Sequence, residues 1–156
     1  MKVDNGRVVI DFNTPETSGN WLSVNDMVMG GVSSGRLVVN DDGTGTFYGV
    51  ISLDNNGGFA SVRTEINDSD FADFTGFHIR VRGDGKRYRL RVRTDPDVEG
   101  PAYQQNFDTL TGEWAEYSLP FAAFSASFRG RVLSDALPLD PAAIRQIGFL
   151  IADKQE

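Results

Sequence analysis

The stretch from Phe77 to Arg93, FHIRVRGDGKRYRLRVR, constrains the fold more than any other part of the chain. Phe77, Ile79 and Val81 alternate with His78, Arg80 and Arg82. Beyond Gly83-Asp84-Gly85, Tyr88, Leu90 and Val92 alternate with Arg87, Arg89, Arg91 and Arg93. A period of two sorts apolar side chains onto one face of an extended strand and cations onto the other. The glycine-flanked turn predicts that the two strands pair as a tight hairpin. In that hairpin the guanidinium groups of Arg80, Arg82, Arg89, Arg91 and Arg93 emerge from one face, beside His78. Residues 76–93 carry a net +6, so the rest of the chain carries −13 within a total of −7.

Composition agrees with a sheet protein. Eleven Phe, two Trp, four Tyr and 17 Gly favour short strands and turns over a helical bundle. A length of 156 residues fits one domain, residues 1–156, whose core needs no covalent staples. The absence of Cys and the single His remove disulfides, thiolate nucleophiles and Cys-based zinc sites. The opening MKVDNGRVVIDF has neither the apolar centre of a signal peptide nor an Arg- and Ser-rich presequence. The expected location is therefore cytoplasmic, of bacterial type. No window approaches the roughly 20 apolar residues of a membrane-spanning helix.

In chain order, Arg7–Phe12 predicts a first strand, and Trp21–Ser34 an extended segment turning at Gly30-Gly31. Arg36–Asn40 and Thr46–Leu53 flank DDGTG as a hairpin. Strands are also expected at Phe59–Ile66, at 102–110 and at Gly112–Phe121, the last stopped by Pro120. FAAFSASFRGR reads as irregular and AAIRQ as one helical turn. Ile147–Asp153 is a buried strand by its continuous apolar run. Nine or ten short strands imply an all-β, single-domain β-sandwich of jelly-roll type.

Two segments, WLSVNDMVMGGVSSG at Trp21–Gly35 and LDNNGGFASVR at Leu53–Arg63, set apolar anchors beside paired glycines. Such pairs suit positive-φ turns or close strand approach. The preferred reading puts Trp21 and Met29 in the core and gives Asn25, Asp26 and Asn56 to turn amides near Gly30, Gly31, Gly57, Gly58 and Phe59. The other reading makes Trp21, Asn25, Asp26 and Met29 a recognition surface. Together with FYGVISL, GDGKRYRLRVRT, AYQQNF, EWAEYSLPFAAF and IRQIGFLIADK, these segments in this order resemble the CIA30 family. That family is named for a factor associated with assembly intermediates of respiratory complex I. The resemblance covers nearly the whole chain and implies a galactose-binding-like β-sandwich, the architecture of many carbohydrate-binding modules. It also implies one more strand after IADKQE, so that either the sequence is shortened there or the final family strand is absent.

No catalytic constellation stands out. A Ser-His-Asp arrangement would need His78, which the alternation aligns with arginines. Asp68, Asp70 and Asp73 lack the order of a calcium loop, and no phosphate-cradling GxxxxGK[ST] occurs, so neither metal nor cofactor is expected. The arginine stripe either pairs with acids on neighbouring strands or waits for an anionic surface. The expected function is non-enzymatic binding of a protein partner with an acidic surface, as the resemblance to an assembly factor implies. His78, Arg80, Arg82, Arg89, Arg91 and Arg93 are the expected contact residues. The alternatives are a carbohydrate-binding module and an RNA- or phosphate-binding module using the arginine face. The net charge disfavours general nucleic-acid binding.

Overall fold

The computed structural model describes residues 1–3, 9–13, 19–25, 34–51, 58–66, 70–94, 101–128, 131–133 and 138–152. Among these, twelve strands follow one another. They are β1 (Lys2–Val3), β2 (Leu22–Asn25), β3 (Ser34–Val39), β4 (Gly45–Val50), β5 (Ala60–Glu65) and β6 (Gly76–Arg82), then β7 (Arg87–Arg93), β8 (Ala102–Asp108), β9 (Trp114–Pro120), β10 (Ser125–Phe128), β11 (Arg131–Val132) and β12 (Gln146–Ile151). A three-stranded sheet runs β1-β6-β9, and a seven-stranded sheet runs β11-β10-β8-β7-β12-β5-β2. The strands β3 and β4 pair as the expected hairpin. All these pairings are antiparallel. The architecture is an all-β sandwich.

Alternation explains the core. Phe77, Ile79 and Leu119 of the smaller sheet share one buried cluster with Leu90, Val92, Phe107 and Ile147 of the larger. Between the layers, the rings of Phe107 and Tyr117 lie 5.3 Å apart at their centroids. Each such side chain contributes roughly 1.5–3 kcal/mol by leaving water. Phe71, Phe77 and Phe121 form an edge-to-face group that extends the core beyond the strand ends.

The hairpin expected between β6 and β7 does not form, although both strands do. β6 pairs Phe77 with Leu119 and Arg80 with Glu116 on β9. β7 pairs Arg89 with Asn106 on β8 and with Leu150 on β12. Gly83–Gly85 instead arches from one layer to the other. Two strands that are apolar on one face can bury it side by side in one sheet or face to face across two, and the period-two pattern is identical in both cases. The choice is fixed by a second arch, Thr109–Glu113, which joins β8 to β9. Buried Thr109 accepts from the Gly85 amide at 3.1 Å and donates to the Lys86 carbonyl at 2.7 Å. The Gly112 amide donates to the Gly83 carbonyl at 2.9 Å. A Cβ on Gly83 would collide with the Thr109 side chain, so the close approach of the arches requires glycine.

Three smaller expectations are corrected. The described part of Arg7–Phe12, residues 9–12, is not a strand: Val9 and Ile10 amides both donate to the Met1 carbonyl, and Lys2–Val3 takes the sheet position beside His78 and Phe77. FAAFSASFRGR is not irregular, because β10 pairs with β8 and with β11. The expected turn at AAIRQ lies at Pro141–Ala143, where Asp140 Oδ1 accepts from the Ala142 amide at 3.0 Å.

Gly58, at the edge of the second glycine-rich segment, is buried with φ +125°. A β-branched side chain is strained there. Gly58→Val is expected to lower unfolding free energy by about 1 kcal/mol or more, read from the urea midpoint. An unchanged midpoint would mean that this glycine is not held by its backbone.

Candidate functional site

The arches split the arginine stripe in two. His78, Arg80 and Arg82 point outward from the smaller sheet, and Arg89, Arg91 and Arg93 point outward from the larger one, on the opposite side of the molecule. The single six-residue face expected from a hairpin therefore does not exist. On the smaller sheet His78 Nδ1 lies 2.9 Å from Ser118 Oγ, and the Arg80 guanidinium sits 4.8 Å from the centroid of the Trp114 ring. Arg80 also faces Glu116 across the strand pair. These are ordinary neighbours for an exposed sheet face.

The larger sheet is different. Arg89 Nε donates to Asn106 Oδ1 at 3.1 Å and Arg91 Nη2 to Gln104 Oε1 at 3.2 Å, both amides on β8. On the other flank, Gly148 of β12 is in register with Arg91 on β7 and with Arg63 on β5. The cluster on this face is thus Arg63, Arg89, Arg91 and Arg93, all half-buried. Burial, then Arg93 and Arg89, pushes the Arg91 guanidinium down to about 10. Burial and Arg63 push Arg93 down as well. Among the described residues, the Nε groups of Arg63 and Arg91 and Oε1 of Gln146 are buried without a hydrogen-bond partner. Sequence reading missed Arg63. Its signal was the alternation Ser61, Arg63, Glu65 against Ala60, Val62, Thr64 in a strand that was itself expected.

A second concavity, of about 340 Å³, lies beneath the β3–β4 hairpin. Phe47, Tyr48 and Tyr88 wall it, with Asp84 and Lys86 at its polar side. The Tyr88 hydroxyl donates to Asp84 at 3.0 Å, and burial first, then that carboxylate, raises its pKa. Gly35 and Ala60, which belong to the two glycine-rich segments, and Ile51 border this cleft. Of the motif residues, Trp21 packs toward the core, its ring 6.0 Å from Phe149 and 6.3 Å from Phe12. Gly58 is buried and Phe59 half-buried. Asn25 ends β2, and nothing further is described of it. Asp26, Met29, Gly30, Gly31, Asn56 and Gly57 lie outside the described residues. Asp70 accepts from the Ala72 amide at 3.0 Å, a turn role.

A family model for Complex I intermediate-associated protein 30 matches residues 10–156. The chain belongs to the CIA30 family. The Mus musculus protein named Complex I intermediate-associated protein 30, mitochondrial, is 27% identical over 172 residues, 97% of this chain and 52% of the mouse protein. The Drosophila melanogaster CIA30 protein of the same name is 28% identical over 170 residues, 95% of this chain and 57% of its own length. The chain spans a little over half of these relatives. Both carry the word mitochondrial in their names, which overturns the expectation of a bacterial-type cytoplasmic protein. The sandwich is similar to a family 11 carbohydrate-binding module from Clostridium thermocellum, solved with a β-1,3-1,4-mixed-linked tetrasaccharide. The TM-score is 0.60 at 18% identity, over 87% of this chain and 81% of the module. It also resembles part of the agarase AgWH50C, with a TM-score of 0.61 at 12% identity over 92% of this chain and 22% of the agarase. At such identities the likeness is one of fold, a galactose-binding-like sandwich shared by CIA30 proteins and carbohydrate-binding modules.

Arg91 is a half-buried cation facing two others, so its charge opposes folding. Arg91→Gln sheds that charge and keeps a polar end near Gln104. The variant is expected to unfold at the same denaturant concentration or higher, with a gain of up to about 1 kcal/mol. A loss of several kcal/mol would instead place Arg91 in an internal network that folding needs.

Proposed function

We propose that this chain is a non-catalytic, protein-binding unit of the assembly-factor type, acting on an intermediate of respiratory complex I. It meets its partner through the outer face of the seven-stranded sheet, around Arg63, Arg89, Arg91 and Arg93. The observation that carries this reading is the arginine cluster itself. Four cations share one face, burial and neighbouring arginines oppose the charge of Arg91 and Arg93, and the Nε donors of Arg63 and Arg91 have no hydrogen-bond partner among the described residues. Membership in the CIA30 family supports the kind of partner. The position of His78 supports the absence of catalysis: it stands exposed on the opposite face, paired with Ser118 on a strand surface that would leave a substrate in water.

A second reading, carbohydrate binding, is favoured by one observation. The cleft of about 340 Å³ beneath the β3–β4 hairpin has aromatic walls and a carboxylate within it, the kind of surface on which a sugar ring stacks.

The test is native electrophoresis of mitochondrial membranes from cells expressing the tagged chain. Co-migration with partly assembled complex I is expected, and Arg89→Gln with Arg91→Gln should weaken it about tenfold or more. Added salt should weaken it too. Migration of the wild-type chain away from every complex I species would overturn the reading. In parallel, calorimetric titration with a mixed-linked β-glucan tetrasaccharide is expected to give no binding heat. Binding that Tyr48→Ala abolishes would move the function to the second reading.

A further inference from the structure

Gly148 leaves a hollow in the middle of the arginine face. It is in register with Arg63 on one side and Arg91 on the other, so two long cationic side chains flank a position with no side chain. A Cβ there would come within 2.5 Å of the Val62 carbonyl oxygen and 3.2 Å of Arg63 Cβ, so the hollow is kept open by close strand approach. Its volume is about 40 Å³, and its rim is made by Ser61, Arg63, Arg91, Arg93, Gln146 and Leu150. Arg63 Nε and Arg91 Nε are shielded from solvent and, among the described residues, have no hydrogen-bond partner. Gln146 Oε1 is in the same condition, and its amide becomes a donor to the hollow when turned about its terminal bond. The carboxylate nearest by register, Glu65, is exposed and sits one row away, opposite Gln146.

The geometry points to a receptor for one carboxylate, supplied by an Asp or Glu side chain of the protein partner and clamped between Arg63 and Arg91. This rests on the arginine face being the docking surface. Size decides against a sugar: a space of this volume takes about two waters or one carboxylate head, and no pyranose ring. Charge disfavours a polyanion: a chain of net −7 repels the many charges of a nucleic acid, whereas a single carboxylate feels chiefly the cations within a Debye length of it. Guanidinium forks match carboxylate geometry, and Arg63, Arg91 and Arg93 stand on the hollow's rim.

The experiment is an NMR titration of the isotope-labelled chain, observing the arginine Nε–H signals, with sodium acetate replacing sodium chloride at constant ionic strength. Arg63 and Arg91 signals and the Gly148 amide should shift saturably, and Arg80 on the opposite layer should not. Arg63→Gln and Arg91→Gln should each raise the half-saturating acetate at least tenfold while keeping the rest of the spectrum folded. Saturation by inorganic phosphate but not acetate would overturn the carboxylate assignment. A flat response to both anions would overturn the site. If the response is flat while association with complex I intermediates persists and still depends on Arg89 and Arg91, the hollow fails and the docking face stands.

Discussion

One hydroxyl joins the two arches at which the chain changes layers. Thr109 Oγ1 accepts from the Gly85 amide and donates to the Lys86 carbonyl, and so ties the arch that leaves the smaller sheet to the arch that returns to it. Because both arches cross between layers at one place, β6 can lie beside β9 while β7 lies beside β8. The apolar faces of all four strands then look inward at one another. The hydroxyl is buried while Gly85 is exposed and Lys86 half-buried, so the tie stabilises only modestly, by about 0.5–1.5 kcal/mol for each bond. The glycine at position 83 completes the arrangement by making room for it.

That crossing also decides where charge accumulates. Were β6 and β7 a hairpin, cations from both would share one surface. With the layers separated, Arg80 settles over Trp114 and opposite Glu116. Arg89 and Arg91 donate to neutral amide acceptors across the strand, and β5 brings Arg63 to the same face. On the larger sheet Arg87, the first arginine of β7, pairs with Asp108 of β8 at 2.8 Å. Further along β7, burial and neighbouring arginines push Arg91 and Arg93 below the ordinary guanidinium range.

Strands with strong alternation were legible in the sequence: residues 76–82, 87–93 and 114–120 fall where their patterns place them. What was not legible is partner choice. The side-chain period reports which face is buried and not which strand lies alongside, so the pairing of β7 with β12, more than fifty residues away, left no local trace. FAAFSASFRGR concealed two strands because its Ser and Ala positions have little hydrophobic contrast. Arg63 was hidden for a related reason. A single arginine in a mixed strand acquires meaning only when register sets it across a glycine from another.

The position of β12 between β7 and β5 has a consequence for the order in which the molecule can be made. Every other described strand is synthesised before it, yet it is the inner strand that joins β2 and β5 to the rest of the larger sheet. Until it arrives, β5 and β7 each present an open edge of unpaired amides and carbonyls, and the apolar side chains beneath them lack a cover. A nascent chain in that condition resembles two half-sheets awaiting a zip. Its closure is a long-range event with a slow rate, and the interval before it is when the polypeptide is most exposed to mispairing with another copy of itself.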